Sequence, residues 1–153
     1  MNIRTATIND LPAIIHLIAD DFLGQKRERI TDPISEDYVK AFREIDADAN
    51  NELIVAELDG DIVGTFQLTY TPSLSFHGGK RSTIESVRVD EKFRGRGIGE
   101  EMMIWAMQRA KGKGCVSMQL TSHNDRKDAH RFYEKLGFKR SHTGMKIRFD
   151  KAP

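Results

Sequence analysis

The stretch RVDEKFRGRGIGEEM, residues 88–102, places Gly95, Gly97 and Gly99 within five positions, with Arg94 and Arg96 beside them. An apolar strand-like run precedes it and an apolar helix-like run follows. Such a strand, turn and helix can cradle phosphate. Successive backbone N–H groups point into one concavity, the helix N-terminus adds positive dipole, and glycine lets a bulky anion approach the main chain. Spacing excludes two familiar cradles. A dinucleotide fingerprint needs glycines at its first, third and sixth positions, and the sixth position from Gly95 is Glu100. A P-loop needs Gly-Lys-Ser/Thr where this helix begins with GEEM. What remains is Arg-x-x-Gly-x-Gly, filled by Arg94, Gly97 and Gly99. Taken alone, such a turn reads better as a plain strand-to-helix connection.

Outward from the turn, the pattern predicts STIESVRV as the preceding strand and a following helix with Ile98, Met102, Ala106 and Ala110 along one face. Upstream, LIVAEL, Asp59-Gly60 and DIVGTFQLTY read as a hairpin with a primed turn. NIRTAT alternates as a first strand. Asn9 is expected to cap a helix whose first turn tolerates Pro12, with Leu11, Ile14, Ile15, Ile18 and Phe22 facing the core. Ser35 is expected to cap a second helix carrying Tyr38, Phe42 and Ile45, and the charged segment between these helices reads mostly as loop. Downstream, CVSMQLTS is a strand and RKDAHRFYEKL a helix stopped by Gly137. MKIRF is expected to end the chain as a strand, with a short additional strand at Phe138. The order is β-α-α-β-β-β-α-β-α-β, a mixed α/β (α+β) domain on one sheet.

At 153 residues the chain is one domain's worth, and residues 1–153 carry no linker or repeat that divides them. The composition is 39% hydrophobic and 31% charged, ordinary for a soluble globular protein. Lys plus Arg (24) nearly cancel Asp plus Glu (23), so no global field recruits nucleic acid or an anionic membrane. The single Cys115 makes no internal disulfide, which fits a reducing cytoplasm. No apolar run approaches membrane-spanning length. A homodimer is compatible with all of this.

Two segments together, IESVRVDEKFRGRGIGEEMMIWAMQRAKGKGC and RKDAHRFYEKLGFKR, resemble the GNAT superfamily of acyl-CoA-dependent N-acetyltransferases. The likeness extends over the whole element order and is sharpest over residues 82–140. It implies a single, mostly antiparallel sheet splayed at a parallel strand pair and flanked by about four helices. It also implies acetyl-CoA as cofactor, with the pyrophosphate of coenzyme A on the turn formed by Arg94, Gly95, Arg96, Gly97, Ile98, Gly99 and Glu100. The pantetheine arm is then expected in the splay, bonded to main-chain groups of Val87, Arg88 and Val89. Where many relatives carry an Asn that contacts the cofactor, this chain has Arg126, with Asn124 two residues away; both are candidate cofactor contacts. Lys127 stands nearby as a further cation.

Acetyl transfer to an amine needs a proton acceptor, donors for the developing oxyanion and a proton for the departing thiolate. Glu85, on the strand before the turn, is the first candidate base; alternation puts it on the face of Val87 and Val89 rather than that of Arg88. His123 and water are the competing bases, and a loop His is more often a surface residue. Tyr133 is the candidate acid, since a phenol keeps its proton at neutral pH yet donates it to a stronger transient base. The resemblance places that Tyr beside the thioester sulfur. The main-chain N–H around Val87 is the expected oxyanion donor.

The acceptor amine is the least legible part. The first two helices, their loop (Asp20, Asp21, Lys26, Arg27, Glu28, Arg29) and TPSLSFHGGKRS are expected to shape its cleft, although most of these charges read more simply as a solvated loop; Phe22, Tyr38, Phe66 and Tyr70 are candidate aromatic walls, with core packing the simpler reading for most of them. Three functions are open: acetylation of a small-molecule amine or amino-acid-like acceptor, acetylation of a protein lysine or N-terminus, or coenzyme A binding without catalysis. Glu85 and Tyr133 together speak against the last. No metal is expected.

Overall fold

In a computed structural model, residues 1–20 and 24–150 are described. Strands β1 (Asn2–Thr5), β2 (Asn51–Leu58), β3 (Asp61–Thr71), β4 (Lys80–Val89) and β5 (Cys115–Gln119) lie side by side in chain order as one sheet. The first four pair antiparallel, and β5 runs parallel to β4. The predicted β2–β3 hairpin turns at Asp59 and Gly60, whose φ values of 52° and 87° are those of a primed turn. A parallel neighbour requires a long crossover. Helix α5 (Ile98–Gly112) supplies it.

The remaining helices are α1 (Leu11–Ala19), α3 (Glu36–Ala47), α6 (Lys127–Lys135) and the one-turn pieces α2 (Gly24–Arg27) and α4 (Ser75–Gly78). So α2 interrupts the segment expected to be loop. Each face of the sheet has its own core. Ile98, Met102, Met103, Ala106 and Ala110 of α5 bury against Ile54, Phe66, Leu68 and Ile84. Leu11, Ile14, Ile15 and Phe42 of α1 and α3 bury against Val55 and Ala6 on the other side. Ile18 is half-buried, and Phe22 lies outside the described residues. Ser35 caps α3 as expected, accepting from the Asp37 N–H at 3.4 Å.

Three expectations are corrected. Asn9 does not cap the first helix. A 3₁₀ turn over Ile8–Asp10 precedes α1, and the Asp10 carboxylate reaches back to accept from the Thr7 N–H at 2.7 Å and the Thr7 hydroxyl at 3.2 Å. Arg4 completes this corner, donating to Asp10 at 2.7 and 3.0 Å and to Glu57 on β2 at 2.8 Å. Asp10 therefore has a partner on every side, whereas Asn9 sits inside the turn. Secondly, MKIRF forms no strand and none begins at Phe138: among the described residues no strand lies beyond β5. Thirdly, Phe66 and Tyr70 do not line a cleft. Both point into the α5-side core, at 0% and 2% exposure.

Candidate active site

The parallel pair is short. Lys80, Arg81, Ser82 and Thr83 of β4 face Cys115, Ser117, Met118 and Gln119 of β5, and there the ladder stops. Side chains rivet its last rungs: Ser82 Oγ donates to the Ser117 carbonyl at 3.0 Å, and Gln119 Nε2 to Thr83 Oγ1 at 3.3 Å. Residues 84–89 of β4 continue beyond, paired only to β3. On its β5 side this stretch, with Val87, Arg88 and Val89, lies past the end of the parallel ladder.

A β-bulge re-aims this part of β4. Gln67 faces Glu85 and Thr65 faces Arg88, so Ser86 and Val87 together oppose Phe66. Ser86 takes a φ of 53°, the left-handed conformation that lets one strand carry the extra residue. Cross-strand partners share a face, and Thr65 and Gln67 are two apart. Glu85 therefore shares a face with Arg88, the side on which α1 and α3 pack. Val87 and Val89 pack instead toward the α5-side core. The expectation from simple alternation is thus corrected: Glu85 is exposed and lies opposite the two valines.

Beyond the end of β4 stands the turn. Gly95 and Gly97 have φ values of 76° and 80°, and no atom lies within 4 Å of where a Cβ would stand at either. Gly97 is the N-cap of α5, so the first amides of a 15-residue helix open onto the same side. Gly99 serves packing. A Cβ there would meet Phe132 Cζ at 3.4 Å and Val89 Cγ2 at 3.7 Å, so its small size seats α6 against the turn. Ile98 is buried, which leaves its main chain alone to face the turn, while Glu100 is exposed in the first turn of α5, where a carboxylate suits the dipole. Arg94 folds back to donate from Nε to the Val89 carbonyl at 3.2 Å, and Arg96 lies 5.2 Å over the Phe93 ring. Open positive-φ glycines, helix amides and flanking guanidinium groups fit a pyrophosphate.

Tyr133 reaches this region from α6. Its ring packs edge-on against Phe132 at 5.2 Å and Phe138 at 5.9 Å. Burial raises its phenol above the ordinary value, while the nearby Arg88 and Arg126 charges pull the other way. The Arg88 charge thus bears on Tyr133, and its Nη1 donates to the Val87 carbonyl at 2.9 Å. Arg126 stands at the N-terminal boundary of α6, half-buried, and Asn124 is exposed in the preceding turn. His123 is occupied as a loop organiser: Nδ1 accepts from the Asp125 N–H at 3.2 Å, and its carbonyl meets His130 Nε2 at 2.9 Å. On the acceptor side Tyr38 ties α3 to the segment after α2, its hydroxyl accepting from Arg29 N–H at 2.9 Å and donating to Glu28 at 3.2 Å. Asp21 lies outside the described residues. Among the described residues no three His, Cys, Asp or Glu side chains gather to hold a metal, and no helix is long and apolar enough to cross a membrane.

Sequence reasoning missed the bulge and the Arg4–Asp10–Glu57 corner. The Thr7-x-x-Asp10 spacing was the available signal for that corner, as a polar cap with an acid three residues on. No composition signal marks Ser86.

Comparison with known proteins agrees with this architecture. The chain is 33% identical over 105 residues to an aminoalkylphosphonate N-acetyltransferase of Salmonella typhimurium, covering 69% of this chain and 65% of that relative's length. A crystal structure described as a transcriptional regulator from Bacillus halodurans superposes with a TM-score of 0.94 at 52% identity, over 97% of this chain and 99% of that one. The glucosamine-6-phosphate N-acetyltransferase of Arabidopsis thaliana superposes with a TM-score of 0.78 at 29% identity, over 97% and 98%. The family model of the acetyltransferase (GNAT) family matches residues 11–138, which takes in α1, the whole β2–β5 sheet, the glycine turn and α6. The chain belongs to the acetyltransferase (GNAT) family.

Proposed function

We propose that the protein transfers an acetyl group from acetyl-CoA to the primary amine of a small acceptor. The observation that supports this reading is the β4–β5 ladder ending at Thr83, with Glu85 beyond it on the α1 side of β4 and Tyr133 of α6 near the Arg88 charge. When bound, acetyl-CoA supplies the activated acetyl thioester. The amides at the start of α5, with Gly95, Gly97, Arg94 and Arg96, hold its pyrophosphate. The main-chain groups of Val87, Arg88 and Val89 orient its arm, and the Val87 N–H faces the developing oxyanion. Arg126 adds a guanidinium for phosphate, with Asn124 and Lys127 on the same rim.

Glu85 takes the proton of the attacking amine from the α1 side, directly or through one water. Tyr133, kept protonated by its burial, gives its proton to the departing thiolate from the α6 side. Base and acid thus work from different elements. The acceptor itself is an amine that also carries a phosphate or phosphonate. The names of two relatives pair those groups. Arg88, set on the Glu85 face of β4 by its register, is the candidate cation for such an anion.

The experiment is a panel of amines with acetyl-CoA, read as release of free thiol. Aminoalkylphosphonates and amino-sugar phosphates should turn over fastest, their dephosphorylated counterparts more slowly, and lysine peptides least. Turnover of lysine peptides above every small amine would replace the small-acceptor reading with a protein acetyltransferase, and no turnover by any amine would leave a binding module.

A further inference from the structure

Before its bulge, one face of β4 carries only polar side chains. Arg81, Thr83 and Glu85 alternate along it, opposite Thr71, Thr69 and Gln67 of β3, and Ser117 and Gln119 of β5 flank the first two. Cross-strand partners share a face, and Leu53, the partner of Gln67 on β2, packs with α1 and α3. The polar floor therefore lies on the side of those helices. They bury Val55 there, yet each of these polar residues stays half-buried or exposed. Several polar groups of the floor are engaged. Gln67 Nε2 and Thr69 Oγ1 donate to Asn51 Oδ1 at 2.9 and 3.0 Å, and Gln119 holds Thr83. Arg81 stands apart: its Nε is closed off from solvent and meets no hydrogen-bond acceptor among the described residues. A buried N–H without a partner is rare and unfavourable. An oxyanion beside it supplies one, and the guanidinium fork suits phosphate.

The two arginines of this face stand on opposite sides of Glu85. Arg88 follows it, toward the glycine turn that is left to the cofactor. Arg81 precedes it, on the side left to the acceptor. Building on acetyl transfer to an amine at Glu85, we infer that Arg81 holds the oxyanion of the acceptor, whose body lies along the floor over Thr83. At a rise of about 3.3 Å per residue, the Cα atoms of Arg81 and Glu85 stand about 13 Å apart. That span suits an acceptor whose amine and oxyanion are separated by a sugar-sized body rather than by one carbon. Arg81 thus selects acceptors by length as well as by charge.

The test compares the full chain with Arg81→Gln, Arg88→Gln and Lys80→Gln. Lys80 is the control, a neighbouring cation whose Nζ donates to the Lys113 carbonyl at 3.2 Å. Glucosamine 6-phosphate is titrated into each by calorimetry in the presence of coenzyme A. Its Kd should rise about 10- to 100-fold in Arg81→Gln, the worth of a hydrogen bond to a charged group, and hold in Lys80→Gln. With acetyl-CoA, thiol release gives kcat/KM for glucosamine 6-phosphate relative to glucosamine. That ratio should fall by a similar factor in Arg81→Gln, and it does not depend on how much of a variant folds. The parent should also prefer glucosamine 6-phosphate to aminomethylphosphonate. No binding by the parent, an equal loss in Lys80→Gln, a loss confined to Arg88→Gln, or a preference for aminomethylphosphonate overturns the role of Arg81. Binding that depends on Arg81, with no thiol release from any amine, upholds that role and overturns acetyl transfer instead.

Discussion

Glu85 and Arg88 project from the same face of β4 although they are three positions apart, because Ser86 takes up the extra residue at a φ of 53°. The proposed base and Arg88 are thereby set on one strand face, while Val87 packs toward the core. Left-handed backbone costs a residue with a Cβ about 1–2 kcal/mol, and β-branching makes it worse. Ser86 already bears that cost, so Ser86→Val should lower unfolding free energy in urea by the further penalty of β-branching, roughly 1 kcal/mol, and reduce amine turnover, whereas Ser86→Gly relieves the strain, keeps the bulge and retains activity. Equal stability of the Val variant would mean that the bulge is held by something other than this conformation.

Removing the Tyr133 hydroxyl separates chemistry from packing. The ring contacts with Phe132 and Phe138 survive in Tyr133→Phe, so fold and coenzyme A affinity should hold. General acid catalysis is worth about 10²–10⁴-fold, and that loss should fall on kcat. A Phe variant within a few-fold of the parent on a good acceptor would take Tyr133 out of the reaction.

Gly97→Asp puts a carboxylate at the mouth of the glycine turn, where a Cβ meets no atom but the φ of 80° strains it. Coenzyme A at 100 times its Kd should stabilise the parent by about 2.7 kcal/mol. In the variant the thermal shift should largely vanish while the fold persists. An undiminished shift would move the pyrophosphate elsewhere.

Glu85→Gln keeps the shape and removes proton acceptance. Turnover should fall at moderate pH and recover toward alkaline pH, where the acceptor is already a free amine, with coenzyme A affinity unchanged. Parent-like rates across the whole range would pass the role to His123 or to water.

The Arg4–Asp10 pair makes a prediction about acid. The Arg4 hydrogen bonds, supported by the Thr7 amide, hold the Asp10 carboxyl below the usual carboxylate range against the opposing pull of burial. A depressed pKa in the folded state gives stability that is present above the unfolded value, about 3.9, and is lost as pH falls through the folded value. Asp10→Asn should therefore cost about 1–3 kcal/mol at pH 7. Denaturant titrations should show the gap between parent and variant narrowing below about pH 4. A gap independent of pH would mean that shape, not charge, holds the corner.

Element order and the glycine turn were legible because each rests on local chemistry: alternation in β2 and β3, Asp59-Gly60 between them, one apolar face on α5, Gly137 after α6. Glu85 was found on the right strand but assigned the wrong face. Alternation assumes an unbroken pleat, and a serine at positive φ breaks it without announcing itself in the sequence. Phe66 and Tyr70 were candidates for a cleft wall because an aromatic in a strand reads the same whether it faces a ligand or a helix. Tertiary packing decides that, with Trp105 of α5 6.0 Å from the Phe66 ring and Glu52 accepting the Tyr70 hydroxyl proton. MKIRF has a strand's pattern, but pattern names no partner, and within one chain it finds none.

The helix that carries the glycine turn is pinned along its length. At Gly64 a Cβ would stand 2.5 Å from Met102 Sδ and 3.2 Å from the Arg88 carbonyl, so only glycine lets α5 lie this close to the sheet. At the far end Arg109 binds Glu52 on β2, whose other bond is to Tyr70. The opposite face of the sheet, with Val55, Leu11 and Phe42, shares no core residue with it. Changes that lie far apart and have no common neighbour add rather than interact. Substitutions on the α1–α3 side should therefore leave the packing of α5 and its glycine turn unaltered.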